Sequence, residues 1–223
     1  MSAYLKPLWD NYLNHRNLLL LKEDLLTYPL YESPKRADES LLMRAIEWND
    51  LGAVQLLLSM GESPLLPASD GFTLLHQAVD QVSSVEIGLK REDVEIEGKR
   101  NAALAVLTSL LDGGADPNVQ GADGTPLHRA AGSGDVESAR ILLSYGADIE
   151  ARMLIDGELT PLIHAALMGQ PRMVRFLIDA GANRLAISGP SLSNPPMPLK
   201  QLLTTGGWSI PHLSEILEML DCI

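Results

Sequence analysis

The chain has 223 residues and a formal net charge of -12, with 29 acidic against 17 basic side chains. Hydrophobic residues make up 46 %, which excludes wholesale disorder, and the scarcity of aromatics (4 %) beside abundant Leu and Ala favours packed helices over sheets. The acidity argues against a nucleic-acid partner, whose phosphates need Lys and Arg to displace counterions; it suits a basic protein partner, and equally plain solubility.

Residues 1–37 contain no repeat. Leu5, Leu8, Trp9, Tyr12 and Leu13 recur at helical spacing, as do Leu18, Leu21, Leu25 and Leu26, predicting one or two helices that cap the first unit. The Leu18-Leu19-Leu20-Leu21 run is brief and is followed by Lys22, Glu23 and Asp24, so neither a secretory segment nor a membrane span is expected. Cys222 is the single cysteine, so no intrachain disulfide can form and a reducing, cytoplasmic setting is the natural one.

From residue 38 a spacing repeats. The first unit, 38–70, runs from Ser40 to Gly61, 21 positions, with Ala45 and Leu56-Leu57-Leu58 in register. The second, 71–122, opens at Thr73-Leu74-Leu75-His76-Gln77-Ala78 and closes at Gly114-Ala115-Asp116. That interval is 41 positions rather than 21, so twenty residues have been inserted, near 80–101. The insertion carries Lys90-Arg91-Glu92-Asp93, Glu95, Glu97, Lys99 and Arg100, and is expected between the two helices of its unit. It reads either as a solvated extension of mixed charge or as a second docking surface.

The third unit, 123–156, is the clearest: Gly124-Thr125-Pro126-Leu127-His128-Arg129-Ala130-Ala131, then Gly134, Ile141-Leu142-Leu143 and Gly146-Ala147-Asp148. The fourth, 157–187, runs from Thr160-Pro161-Leu162 to Gly181-Ala182-Asn183, again 21 positions between Thr160 and Gly181. Residues 188–223, with Met197-Pro198-Leu199 and the stretch from Leu213 to Leu220, look like a degenerate fifth unit that closes the stack.

The spacing has a physical reason. Thr125 can cap a helix, and Pro126 at the first helical position gives up an amide that would be unpaired anyway. Ala130 and Ala131 keep the helix narrow, Gly134 permits the turn into a second helix, and Gly146 stands where helix ends favour left-handed backbone. No unit can bury its apolar face alone, so units stack.

This pattern resembles the ankyrin-repeat family, whose T-P-L-H-x-A-A and G-A-D signatures stand nearly intact in the third unit and clearly in the fourth. The resemblance implies an all-α solenoid of helix-turn-helix units with short hairpin-like fingers, commonly monomeric when free. Thr73, Thr125, Pro126, Thr160, Pro161, Gly146 and Gly181 take structural repeat positions. His76 and His128 read as structural histidines bonded to nearby backbone. Ile163 takes that slot in the fourth unit, with His164 displaced to a neighbouring position.

Partners in this family meet the concave side, built from finger tips and first helices. The positions carried over are Phe72 and Leu159 before their threonines. Glu47 with Trp48, Asp80 with Gln81, Gly132 with Ser133, and Leu167 with Met168 follow the alanine pairs. Trp48, Phe72, Leu159, Leu167 and Met168 read as an exposed apolar patch, the mark of an interface. The alternative is packing, with Trp48 against the N-terminal cap and Leu159 beneath its own finger. Arg152, Asp156, Glu158 and Arg184 are candidate charged rim contacts.

No catalytic constellation accompanies the repeats. Gly98-Lys99 runs into Arg100 without the earlier glycine of a phosphate loop, and Glu137 stands where a dinucleotide loop after Gly132-Ser133-Gly134 needs glycine. Five scattered histidines show no metal-ligand spacing. The expectation is protein recognition without catalysis, cofactor or metal. The role is either an adaptor or, by resemblance to small acidic bacterial proteins of this type, an immunity-type inhibitor of a basic toxin or enzyme.

Overall fold

The computed structural model describes residues 40–67, 72–87, 94–153, 158–189, 195–205, 207 and 209–221, with 85–87 and 94–96 by backbone alone. The helical cap expected over 1–37 lies outside them, as do residues 90–93 of the insertion and Asp156. The described residues form ten helices: α1 (Leu41–Glu47), α2 (Leu51–Ser59), α3 (Leu74–Ile87), α4 (Val94–Asp112), α5 (Pro126–Ser133), α6 (Val136–Ser144), α7 (Pro161–Leu167), α8 (Pro171–Asp179), α9 (Leu199–Thr205) and α10 (Leu213–Asp221). The described residues form no strand. Isolated bridges at Pro67–Thr73, Gly121–Gly124 and Ile187–Pro198 pinch the fingers between units.

Helices this short leave much of their backbone unpaired at the ends, so the caps matter. Ser40 Oγ accepts from the Met43 amide at 2.9 Å, and Thr160 Oγ1 accepts from the Ile163 amide. Pro126 and Pro161 occupy first-turn positions. The second helices α2 and α6 are capped by Asp50 and Asp135, which accept from the amides of Ala53 and Ser138.

Between the paired helices the chain turns through left-handed backbone at Asn49, Gly134 and Gly169, with φ of 53°, 77° and 68°. Each stands nine positions after its capping Ser40, Thr125 or Thr160. The second unit has Val82 at that place, and a β-branched residue does not adopt left-handed backbone. The turn is therefore lost and α3 continues to Ile87, giving 14 residues. Then α4 runs for 19 residues, against nine in α2, α6 and α8. The described residues of the insertion thus lengthen both helices. Arg100 ties the extension to the third unit by donating to Asp135 Oδ1 at 3.2 Å.

Second helices end alike. Gly61, Gly114, Gly146 and Gly181 have φ of 89°, 92°, 86° and 100°. Two residues later a side-chain oxygen of Ser63, Asp116, Asp148 or Asn183 accepts the amide two positions on, the turn that opens each finger. Identical local chemistry at four places sets the units in one register.

Odd-numbered helices stack in series as one wall, and even-numbered helices stack as a second wall behind it. The fully buried alanines Ala45, Ala78, Ala130, Ala131, Ala165 and Ala166 let first helices approach closely. Leu57, Leu107, Leu110 and Leu142, among the largest buried side chains, fill the second wall's inner face. The result is an all-α solenoid with one continuous core.

A Cβ at Gly134 would lie 2.4 Å from Gln170 Oε1, at a φ that L-residues rarely take. Gly134→Ala is expected to lower stability by about 1–2 kcal/mol, read by urea denaturation. Unchanged stability would mean that this turn is not held as described.

Candidate functional site

The first-helix wall is joined from unit to unit by histidines. His76 Nδ1 meets Thr73 Oγ1 at 2.8 Å, and its Nε2 meets the Gly124 carbonyl at 2.9 Å. A carbonyl only accepts, so Nε2 carries the hydrogen and Nδ1 accepts from the threonine. His128 repeats this one unit on: its Nδ1 accepts the Thr125 amide at 3.1 Å, and Nε2 donates to the Leu159 carbonyl at 2.9 Å. Each ring thereby bonds the threonine that opens its own helix and holds the residue before the next unit's threonine. Burial pushes the imidazole of His128 down to about 4, and those of His76 and His164 downward too, because the charged form loses its water. In the fourth unit buried Ile163 replaces this bond with apolar contact, and half-buried His164 turns back to donate from Nδ1 to the His128 carbonyl at 3.0 Å.

Arg129 is the electrostatic joint of the same wall. Its guanidinium forks onto both carboxylate oxygens of Asp80, from the preceding unit, and its Nη1 reaches Asp123 at 3.0 Å. The guanidinium carbon also lies 4.8 Å from the Phe72 ring centroid. These partners hold the Arg129 pKa above its ordinary value, the Asp80 bonds contributing most. The motif named Arg129 only as a filler between histidine and alanine; its partner 49 positions away was invisible there.

The residues singled out from the sequence fall into three settings. Trp48, Leu159 and Leu167 are half-buried and pack against the core. Phe72 is half-buried, with His76 edge-on at 5.9 Å and Arg129 over its face. Met168, 48 % exposed, is the one of the five apolar residues that stands out into solvent.

Ser133 and Met168 end the adjacent helices α5 and α7 and lie on the same wall. Ser133 Oγ accepts from Ser83 Oγ at 2.9 Å and donates to the Arg129 carbonyl. Trp48 ends α1, two units before Ser133 and three before Met168.

On the fingers, exposed Arg152 donates from Nη1 to the carbonyls of Glu158 at 3.0 Å and Ile187 at 2.8 Å, stapling two units together. Glu158 is exposed, with left-handed backbone at φ 47°. Its side chain packs on Gly189, where a Cβ would come within 2.6 Å.

The fingers are stitched too. Asn118 donates to the Gly146 carbonyl and accepts from the Asp148 amide, and Glu150 accepts from the Asn183 amide. Asn118 and Glu150 each stand four positions after their glycine. The same position holds Leu185 in the fourth finger, 81 % exposed, and Leu65 in the first, 59 % exposed. With Ile187 at 48 %, these apolar tips are surface features that sequence reasoning passed over. Their signal was a hydrophobic side chain in a slot that elsewhere carries a hydrogen-bonding one.

Among the described residues no three His, Cys, Asp or Glu side chains gather as a metal would require, and no helix is long and apolar enough to cross a membrane.

Comparison with known proteins agrees with this architecture. A family model described as ankyrin repeats (three copies) matches residues 98–186. The chain is 31 % identical to human transient receptor potential cation channel subfamily A member 1, over 62 % of this chain and 14 % of the relative. It is 33 % identical to the mouse B-cell lymphoma 3 protein homolog, over 58 % and 25 %. It is 43 % identical to human protein phosphatase 1 regulatory subunit 27, over 26 % and 36 %. The chain thus spans between 14 % and 36 % of the length of these three relatives. Ankyrin repeats are protein–protein interaction modules. With capping threonines, bridging histidines and finger glycines in one register, the chain belongs to the ankyrin-repeat family.

Proposed function

We propose that the chain holds a partner protein on the surface formed by its first helices and fingers, the concave side of stacks of this family, and performs no chemistry there. The supporting observation is the contrast within that surface. Several of its charged groups are already held: Asp80 and Asp123 by Arg129, Glu47 by Arg44, and Arg152 by two carbonyls. Met168 beside exposed Ser133 remains available to a guest. A wall whose polar groups are preset loses little freedom on binding, which favours affinity.

Met168→Glu and Ser133→Arg are expected to weaken capture of the native partner by at least about tenfold at unchanged melting temperature, since exposed positions contribute little to folding. Trp48→Ala and Phe72→Ala are expected to weaken it too, by roughly 2 kcal/mol where either is an aromatic anchor, with some loss of stability from their packing. If all four variants bound the partner like the parent, the first-helix surface would not be the site.

An immunity-type inhibitor of a basic toxin or enzyme is the second reading, favoured by the net charge of -12. An adjacent toxin-like reading frame and a single stoichiometric partner in affinity capture support it. Several weaker partners support the adaptor. In either role the free chain is proposed to be a monomer of the cytoplasm.

A further inference from the structure

The opposite wall carries a different surface. A groove of about 420 Å³ runs between α6, α8 and α10, with Val136, Phe176 and Met219 among its apolar lining. Its basic side chains are Arg140, Arg172 and Arg175, three of only 17 Lys and Arg in the chain.

In a protein with 29 carboxylates, cations are normally claimed. Arg44, Arg100 and Arg129 are paired in this way. Arg172 and Arg175 are exposed and make no ion pair or hydrogen bond with any described residue, although Asp179 follows one turn later on the same helix. Arg140 lies over the Phe176 ring, 5.0 Å from its centroid, and its contact with Glu137 is a loose 3.7 Å between half-exposed side chains. Three guanidiniums, one fixed against an aromatic floor and two open, make a fork for carboxylates beside an apolar slot.

We propose that this groove binds an acidic peptide segment of a partner protein, seating an apolar side chain on Phe176 and Met219 and its carboxylates on Arg172 and Arg175. The charge complementarity is local. Asp179 and Glu215 also line the groove and repel a uniformly anionic chain such as a nucleic acid, so an occupant must place its charge beside the arginines. The groove stands on the second-helix wall and is independent of the first-helix reading. Both surfaces together would let one chain bridge two proteins.

The test is fluorescence anisotropy on the intact protein at low salt, with a fluorescein-labelled hexapeptide of glutamate pairs flanking leucine and tryptophan. Saturable binding is expected. It should fall at least about tenfold when Arg172→Glu and Arg175→Glu are combined, and comparably when serines replace the apolar pair. Should the charge reversal disturb folding, Arg172→Gln with Arg175→Gln carries the same expectation. The proposal is overturned by absent binding to the parent protein, by equal affinity in the folded variants, or by equal affinity for the serine peptide. Tighter binding of single-stranded DNA through the same arginines would overturn it as well.

Discussion

Replacing Leu142 by alanine is expected to lower the free energy of unfolding by about 2–5 kcal/mol, enough to threaten a domain of marginal stability. The residue is fully buried on α6 and belongs to the single core that runs through the stack. Its removal leaves a cavity that close-packed neighbours can fill only in part. Because each unit leans on the next, the loss is felt across the array rather than in one repeat. Leu65→Ala is the matched control: the same atoms leave a finger tip that is 59 % exposed, and a change within about 0.5 kcal/mol is expected. Chemical denaturation of both variants checks this. Similar losses from both would mean that the finger, not the second-helix wall, carries the core.

The second large effect is acid sensitivity. In the unfolded chain His128 takes up a proton near its ordinary value of 6.5, whereas in the folded protein burial holds it down to about 4. Between those values the unfolded state binds the extra proton, so stability falls as pH drops from about 6.5 toward 4 and levels off below. At about 1.4 kcal/mol per pH unit, His128 alone accounts for roughly 3 kcal/mol. His76, also buried and shifted downward, adds to the loss in the same direction. The geometry acts in the same direction as burial: Nδ1 accepts the Thr125 amide, and a proton there would set donor against donor. Stability measured from pH 7 to 4.5 should therefore decline, and His128→Ala, itself less stable at neutral pH, should show a shallower slope. An unchanged slope in the variant would place the acid-sensitive group elsewhere.

Some of the candidate surface was legible before any coordinates, and some was not. The rule that placed Trp48, Phe72, Leu159, Leu167 and Met168 on one surface was carried over from the family resemblance through the repeat register, and register says which way a backbone position faces. It does not say how much of a side chain its neighbours cover. Phe72 is covered by Arg129, whose anchor Asp80 is 49 positions earlier in the chain. The arginine groove was equally hidden, since Arg140, Phe176 and Met219 meet only because α6, α8 and α10 stack.

What the amino-acid order determined by itself is everything governed within a few residues: capping Ser40, Thr125 and Thr160, the left-handed glycines after each second helix, the finger turns, and hence the unit length and the stack. Val82 belongs with these, because a β-branched residue at the turn position disfavours the turn and lets α3 run on to Ile87. What only the tertiary structure decided is which side chains spend their bonds inside the protein and which keep them for others. That outcome depends on distances between units, and local backbone preference carries no information about them.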